Sequence, residues 1–117
     1  YKSTLIDARE PSRFRGQRER LDLKSGHIPG ARNLPVESLF DDSGKILDKD
    51  HILEQFAKLG ITHDTDPASA IAYSGSGNHS AKLLAAMAHV GLPVLTHYIG
   101  GWSQWSADAS NPVEREV

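Results

Sequence analysis

Residues 68–91 read ASAIAYSGSGNHSAKLLAAMAHVG, and the order of chemistry along them decides the fold class. Ala68-Ser69-Ala70-Ile71-Ala72-Tyr73 is a short, largely apolar run, as expected of a strand buried on both faces. Ser74-Gly75-Ser76-Gly77 is a tight loop. Asn78 then opens a helix, with Ala81, Leu84, Ala85 and Ala88 expected on one stripe and Leu83 and Met87 widening it. Gly91 and Pro93 are its stop signals. Strand, loop and helix in that order form the building unit of a parallel sheet.

The flanking sequence repeats the pattern. Thr4-Leu5-Ile6-Asp7-Ala8 is a second buried strand, followed by Pro11 and an Arg-rich polar stretch to Lys24 that reads as loop with one helical turn. Ser25-Gly26-His27-Ile28-Pro29-Gly30-Ala31 is dense in turn formers, and Ala31-Arg32-Asn33-Leu34 reads as a short strand. Asp48 or Asp50 caps a helix whose Ile52, Leu53, Phe56 and Leu59 share one face, with Gly60 just past its end. Val94 to Ile99 reads as a further buried strand, followed by Gly100-Gly101-Trp102; from Ala107 the polar tail is expected to coil over the surface. The expected architecture is a single α/β domain over residues 1–117, a central parallel sheet with helices on both faces.

The bulk composition fits one soluble domain. The 117 residues carry 38% hydrophobic and 24% charged side chains, which is globular rather than disordered. A formal net charge of -2 offers no basic surplus for a nucleic acid. No apolar run reaches the roughly 20 residues of a membrane span, and no signal peptide is visible. The first residue is Tyr1 rather than Met, so the chain is read as a piece of a longer protein. With no cysteine there is no disulfide or cysteine metal site, which fits either redox environment. His27, His51, His63, His79, His89 and His97 show no metal-binding spacing, and each reads as a surface or structural residue; no metal or cofactor is expected.

A loop leaving a parallel strand and opening a helix lies at the carboxyl edge of the sheet, where α/β folds bind ligands. The helix start supplies unpaired N–H groups and the positive end of the dipole. Gly75 and Gly77 let the backbone curl so that N–H groups of residues 75 to 79 converge on Ser74 Oγ, an arrangement that holds an anion or depresses the pKa of a thiol. The competing reading is a plain turn with helix-capping Ser and Asn. Other loop chemistries fail on residue identity. Gly77-Asn78-His79 lacks the Gly-Lys-Ser/Thr of a phosphate-binding Walker loop, and neither Ser74 nor Ser76 has glycine two residues to either side, as a hydrolase nucleophile elbow requires.

Taken together, Leu5-Ile6-Asp7-Ala8-Arg9, Arg13-Phe14, Ser25 through Pro35, Tyr73-Ser74-Gly75-Ser76-Gly77 and Gly101-Trp102-Ser103-Gln104-Trp105 resemble the rhodanese sulfurtransferases, in order and in gap lengths, from about Leu5 to Pro112. The chain is most similar to the C-terminal, catalytic half of the two-domain thiosulfate and 3-mercaptopyruvate enzymes, and its loop resembles the mercaptopyruvate form. The resemblance implies a loop cysteine that takes sulfur from a small donor anion as a persulfide and yields it to a thiophilic acceptor such as cyanide or a thiol. It places Ser74 at the nucleophile position, with Ser76 as the loop serine that handles a proton. Gly75, Gly77, Asn78 and His79 complete the loop, and Arg9 and Arg13 bind substrate, two guanidiniums suiting a carboxylate or thiosulfate. Arg9 has a competing reading as a structural ion pair with Asp7, and Arg18 as a contributor to the site rather than a solvated residue. Trp102 and Trp105 are expected to pack at the pocket rim. A second rhodanese-like domain in the parent chain, resting on an apolar patch around Trp102, and a cytoplasmic setting are implied as well.

Two departures stand out. Serine replaces the cysteine, and oxygen cannot carry the transferable sulfur, so the chain as written is expected to be inactive in the family reaction. Either the serine stands in for the family's cysteine, which the intact Gly-Ser-Gly loop and arginine pair favour, or the chain is a non-catalytic module that binds an anion or a partner. Asn78-His79-Ser80 also differs from the apolar-Thr-Ala that usually opens this helix. A phosphatase of the same fold needs a longer loop ending in arginine, and Ser80 and Ala81 stand there instead.

Overall fold

The computed structural model describes residues 4–16 and 24–115. Strands β1 (Thr4–Asp7), β2 (Arg32–Asn33), β3 (Ala70–Tyr73) and β4 (Thr96–Tyr98) form one parallel sheet in the order β2-β1-β3-β4. The helices are α1 (Pro11–Arg15), α2 (Lys49–Ala57), α3 (Asn78–His89) and α4 (Gly101–Ala107). Register sets Asp7 beside both Asn33 and Tyr73, and Tyr73 beside Tyr98, so the strands end level. Asp7, Ser74 and Ile99 therefore lie together at the carboxyl edge. Among the described residues no helix is long and apolar enough to cross a membrane.

Alternation along the strands splits the core into two layers. Ile6, Ala70 and Ala72 join a cluster with Ile52 and Phe56 of α2, Leu83, Leu84 and Met87 of α3, and Val36 and Leu39 of a 3-10 turn. Leu5 and Tyr73 point the other way, to Phe14 of α1 and Trp102 and Trp105 of α4. Helices thus cover both faces, as expected. Asp48 is the α2 cap, its carboxylate accepting the His51 N–H at 2.8 Å. Asp48→Ala should cost about 1 kcal/mol, seen as a lower urea midpoint with an unchanged slope.

Two expectations need correction. The inward face of α3 is Ser80, Leu83, Leu84 and Met87, with Ala86 beside them; Ala81, Ala85 and Ala88 are exposed. Burying a leucine or methionine is worth about 1.5–3 kcal/mol, more than a lone methyl offers, so the large side chains choose the face. The Val94–Ile99 run is not a buried strand: only Thr96–Tyr98 pairs, with β3 alone among the described strands, and Val94 and Ile99 are 46% and 68% exposed. The tail lies over the surface as expected, and it is fastened there. His27 and Glu114 exchange backbone hydrogen bonds at 2.8 and 2.9 Å, and the Lys24 ammonium donates to the carbonyls of Asp108, Ala109 and Asn111. Helix α4 occupies a stretch to which the sequence reading assigned no element; Trp102, Trp105 and Ser106 give it a spacing of one helical face.

Candidate active site

The loop between β3 and α3 is held from three sides. From below, the first turn of α4 takes its carbonyls: Trp102 N–H donates to the Ser74 carbonyl at 2.7 Å and Ser103 N–H to that of Gly75 at 3.0 Å. This clamp needs Gly101, whose φ is +54° and where a Cβ would run into the Ser74 carbonyl oxygen. From within, Ser74 Oγ accepts the N–H groups of Gly77 at 3.2 Å and of Ser80 at 3.1 Å. The second lies one residue beyond the expected 75–79 segment. It is a first-turn donor of α3 with no partner inside the helix. Gly77 adopts φ +101°, and a Cβ there would lie 2.9 Å from the Ile99 carbonyl oxygen. From above, the Arg13 guanidinium covers Gly75: a Cβ on that glycine would sit 3.3 and 3.4 Å from its two terminal nitrogens.

These residues frame a cleft of about 80 Å³ lined by Arg13, Ser74, Gly75, Ser76, Asn78 and His79. Liquid water occupies about 30 Å³ per molecule, so the cleft suits a small anion rather than an extended substrate. Its guanidinium, its loop N–H groups and the dipole of a twelve-residue helix all favour negative charge. Ser74 is only 1% exposed.

The expected site residues are brought together with two exceptions. Gly77 lies behind the cleft, as an N–H donor to Ser74. Arg9 lies elsewhere: its side chain is fully buried and paired with Asp7 at 2.7 Å, also donates to the Gly26 carbonyl at 2.6 Å, and sits 5.0 Å over the Trp102 ring. Its placement corrects the expectation of a second substrate-facing guanidinium and matches the competing ion-pair reading. Trp102 is fully buried in the core and not at the rim. Arg18 lies outside the described residues. Burial and the Asp7 charge push the Tyr73 phenol far above its usual range, so its hydroxyl stays neutral and accepts the Ile28 N–H. His27 stacks on Phe14 and bonds its carbonyl, a structural arrangement.

Two residues at the site were not singled out from sequence. Ser80 Oγ lies 3.0 Å from Ser74 Oγ, and His97 Nε2 lies 2.6 Å from Ser80 Oγ. Ser80 was legible in principle, since it falls three residues after the helix cap and so points back at the loop. His97 was not, because only the β3–β4 register, Ala72 opposite His97, brings its ring onto the α3 side.

Comparison with known proteins agrees with the fold. Residues 1–108 match the model of the rhodanese-like domain. The chain is 40% identical over 112 residues to a putative thiosulfate sulfurtransferase, SseB, of Mycobacterium tuberculosis, covering 96% of this chain and 38% of that protein. It is 37% identical over 112 residues to the 3-mercaptopyruvate sulfurtransferase of Escherichia coli, covering 94% of this chain and again 38% of the relative. The wild-type structure of EanB superimposes with a TM-score of 0.86 at 26% identity, covering 99% of this chain and 28% of that one. The chain thus spans little more than a third of the curated relatives it matches. With the family model spanning nearly all of the sequence and the parallel sheet and cradled loop in place, this chain belongs to the rhodanese-like domain family.

Proposed function

We propose that this chain is the sulfur-accepting domain of a thiosulfate or 3-mercaptopyruvate sulfurtransferase, with position 74 as the sulfur carrier and the Ser74 form silent. One observation carries the reading: the side chain at 74 is the focus of two backbone N–H groups at a helix start, beside a cleft that the Arg13 guanidinium also lines. Two donated N–H bonds and the dipole stabilise an anion at that atom, which is what a thiolate needs. Ser76, Asn78 and His79 line the donor's place, and Arg13 grips its oxygens. A second rhodanese-like domain completes the parent protein; exposed Ile99, beside Gly77 at the loop, is the apolar side chain for it to cover, in place of buried Trp102. A cytoplasmic setting belongs to the same reading.

Arg13 tests the donor contact. In a Ser74→Cys background, Arg13→Gln should lower the rate of persulfide formation roughly 10- to 150-fold, since a charge-assisted hydrogen bond is worth about 1.5–3 kcal/mol. Initial rates at several thiosulfate concentrations measure it, and an unchanged rate removes Arg13 from the site.

A second reading is a binding module, favoured by the serine itself. Its hydroxyl already does structural work by taking the Ser80 N–H, as a helix cap does. Under this reading the Ser74 chain binds thiosulfate by calorimetry while the Ser74→Cys variant never gains sulfur.

A further inference from the structure

Behind the cleft, hydrogen bonds run from Ser74 through Ser80 to His97, and lone-pair counting fixes the direction of the first. Ser74 Oγ has two acceptor positions. Both are taken, by the N–H groups of Gly77 and Ser80. Its own hydrogen must therefore be donated, and Ser80 Oγ is 3.0 Å away. Ser80 in turn has one hydrogen and two acceptors in reach, the Gly77 carbonyl at 3.2 Å and His97 Nε2 at 2.6 Å. With its proton on Nδ1, His97 takes that hydrogen at a bare Nε2 across the shorter contact; with its proton on Nε2, it donates to Ser80 instead. Ser80 is fully buried and His97 half-buried, so bulk water does not compete freely along the chain.

Resting on the sulfur-transfer reading, we infer that Ser80 and His97 are positioning residues for that reaction, a relay that takes the proton from the group at position 74. With cysteine at 74, the S–H bond breaks and its proton passes to Ser80 Oγ as the Ser80 hydroxyl proton passes to His97 Nε2. The products are a thiolate, an unchanged Ser80 hydroxyl and an imidazolium, with no electron gained or lost. The exit lies on the far side of the loop from the donor cleft, so an anion can occupy the cleft without blocking it. Among the described residues, the other charged or titratable groups around position 74 are Arg13 and His79 at the cleft, and the Asp7–Arg9 pair and Tyr73 along the neighbouring strand ends.

Two measurements test the relay, neither using a sulfur donor. In the unaltered chain, nitrogen-15 NMR of His97 should show the Nδ1–H tautomer; an Nε2–H tautomer overturns the proposal. In the Ser74→Cys background, iodoacetamide alkylation against pH reads the thiolate fraction directly. Ser80→Ala and His97→Leu should each raise the apparent thiol pKa by about one unit, a roughly tenfold slower reaction at neutral pH. The double variant should be no slower than either single one, because both break one path. Superimposable profiles, or additive losses in the double variant, overturn it. Should a variant fail to fold, the tautomer decides alone. Failure here leaves persulfide formation free to succeed, so the two readings fail separately.

Discussion

A Ser74→Cys variant of this chain should become heavier by one sulfur atom after exposure to thiosulfate or 3-mercaptopyruvate, and should lose that sulfur to cyanide as thiocyanate. The Ser74 chain should do neither, so the effect is the difference between activity and none. The substitution changes one atom. What prepares that atom is independent of it: the N–H groups of Gly77 and Ser80, the first turn of α3, the Arg13 guanidinium and the Trp102 and Ser103 N–H groups that pin the loop carbonyls. A free thiol titrates near 8.5 (about 8.5 in peptides), and donors aimed at the sulfur bring it down into the physiological range. A serine hydroxyl in the same place stays protonated, and its oxygen forms no persulfide. In the transfer, the thiolate attacks the outer sulfur of thiosulfate, and sulfite leaves with the electrons of the broken S–S bond. Cyanide carbon then attacks the sulfur now on the enzyme, and the thiolate leaves. The chain spans only 38% of its relatives, so turnover is a poorer readout than the mass of the intact protein. A folded variant that gains no sulfur from either donor, alone and joined to the rest of its parent protein, overturns the sulfur-transfer reading in favour of the binding module.

Arg9→Ala should destabilise the domain by about 3–5 kcal/mol, because it strands the buried Asp7 carboxylate without its cation. That is a large part of the roughly 5–15 kcal/mol holding a domain of this size together, so the urea midpoint should fall steeply. Asp7 and Arg9 are both 0% exposed. The guanidinium makes a forked contact, Nε to both carboxylate oxygens at 3.1 Å and a terminal nitrogen to one at 2.7 Å. It also ties β1 to the Gly26 carbonyl in the turn and lies over Trp102 of α4. Arg9→Lys should not rescue it, since an ammonium cannot reproduce the fork. Replacing both partners by apolar groups, as in Asp7→Leu with Arg9→Met, should recover much of the loss, because no charge is then left buried alone. The competing outcome is a chain whose stability changes by less than about 0.5 kcal/mol while sulfur transfer in the Ser74→Cys background collapses; that would return Arg9 to the donor.

The reach of the sequence differs from one feature to the next. Strand β3, the loop and α3 follow from local rules: an apolar run, glycines where the chain must turn, and a helix stopped by Gly91 and Pro93. The loop's chemical position, at the carboxyl edge of a parallel sheet, follows from the order of elements alone. So does the family, because motifs in register over nearly the whole chain carry more information than any one of them. The buried face of α3 did not follow, since alanines at 81, 85 and 88 fit the helical period as well as the leucines do and only packing chooses between them. Helix α4 and the half-open Val94–Ile99 run depend likewise on what lies next to them.

By itself, then, the sequence determined the α/β class, the tight loop at Ser74 and the absence of cysteine, because each rests on local backbone chemistry or on residue identity. Tertiary structure alone decided which arginine lines the cleft and which side chains stand behind position 74. Arg9 and Arg13 are alike as residues, but Arg9 lies in the core, paired with Asp7 and over Trp102, while Arg13 lies over Gly75. Ser80 and His97, seventeen residues apart, meet because β4 pairs with β3 in one register, and no local rule carries that register.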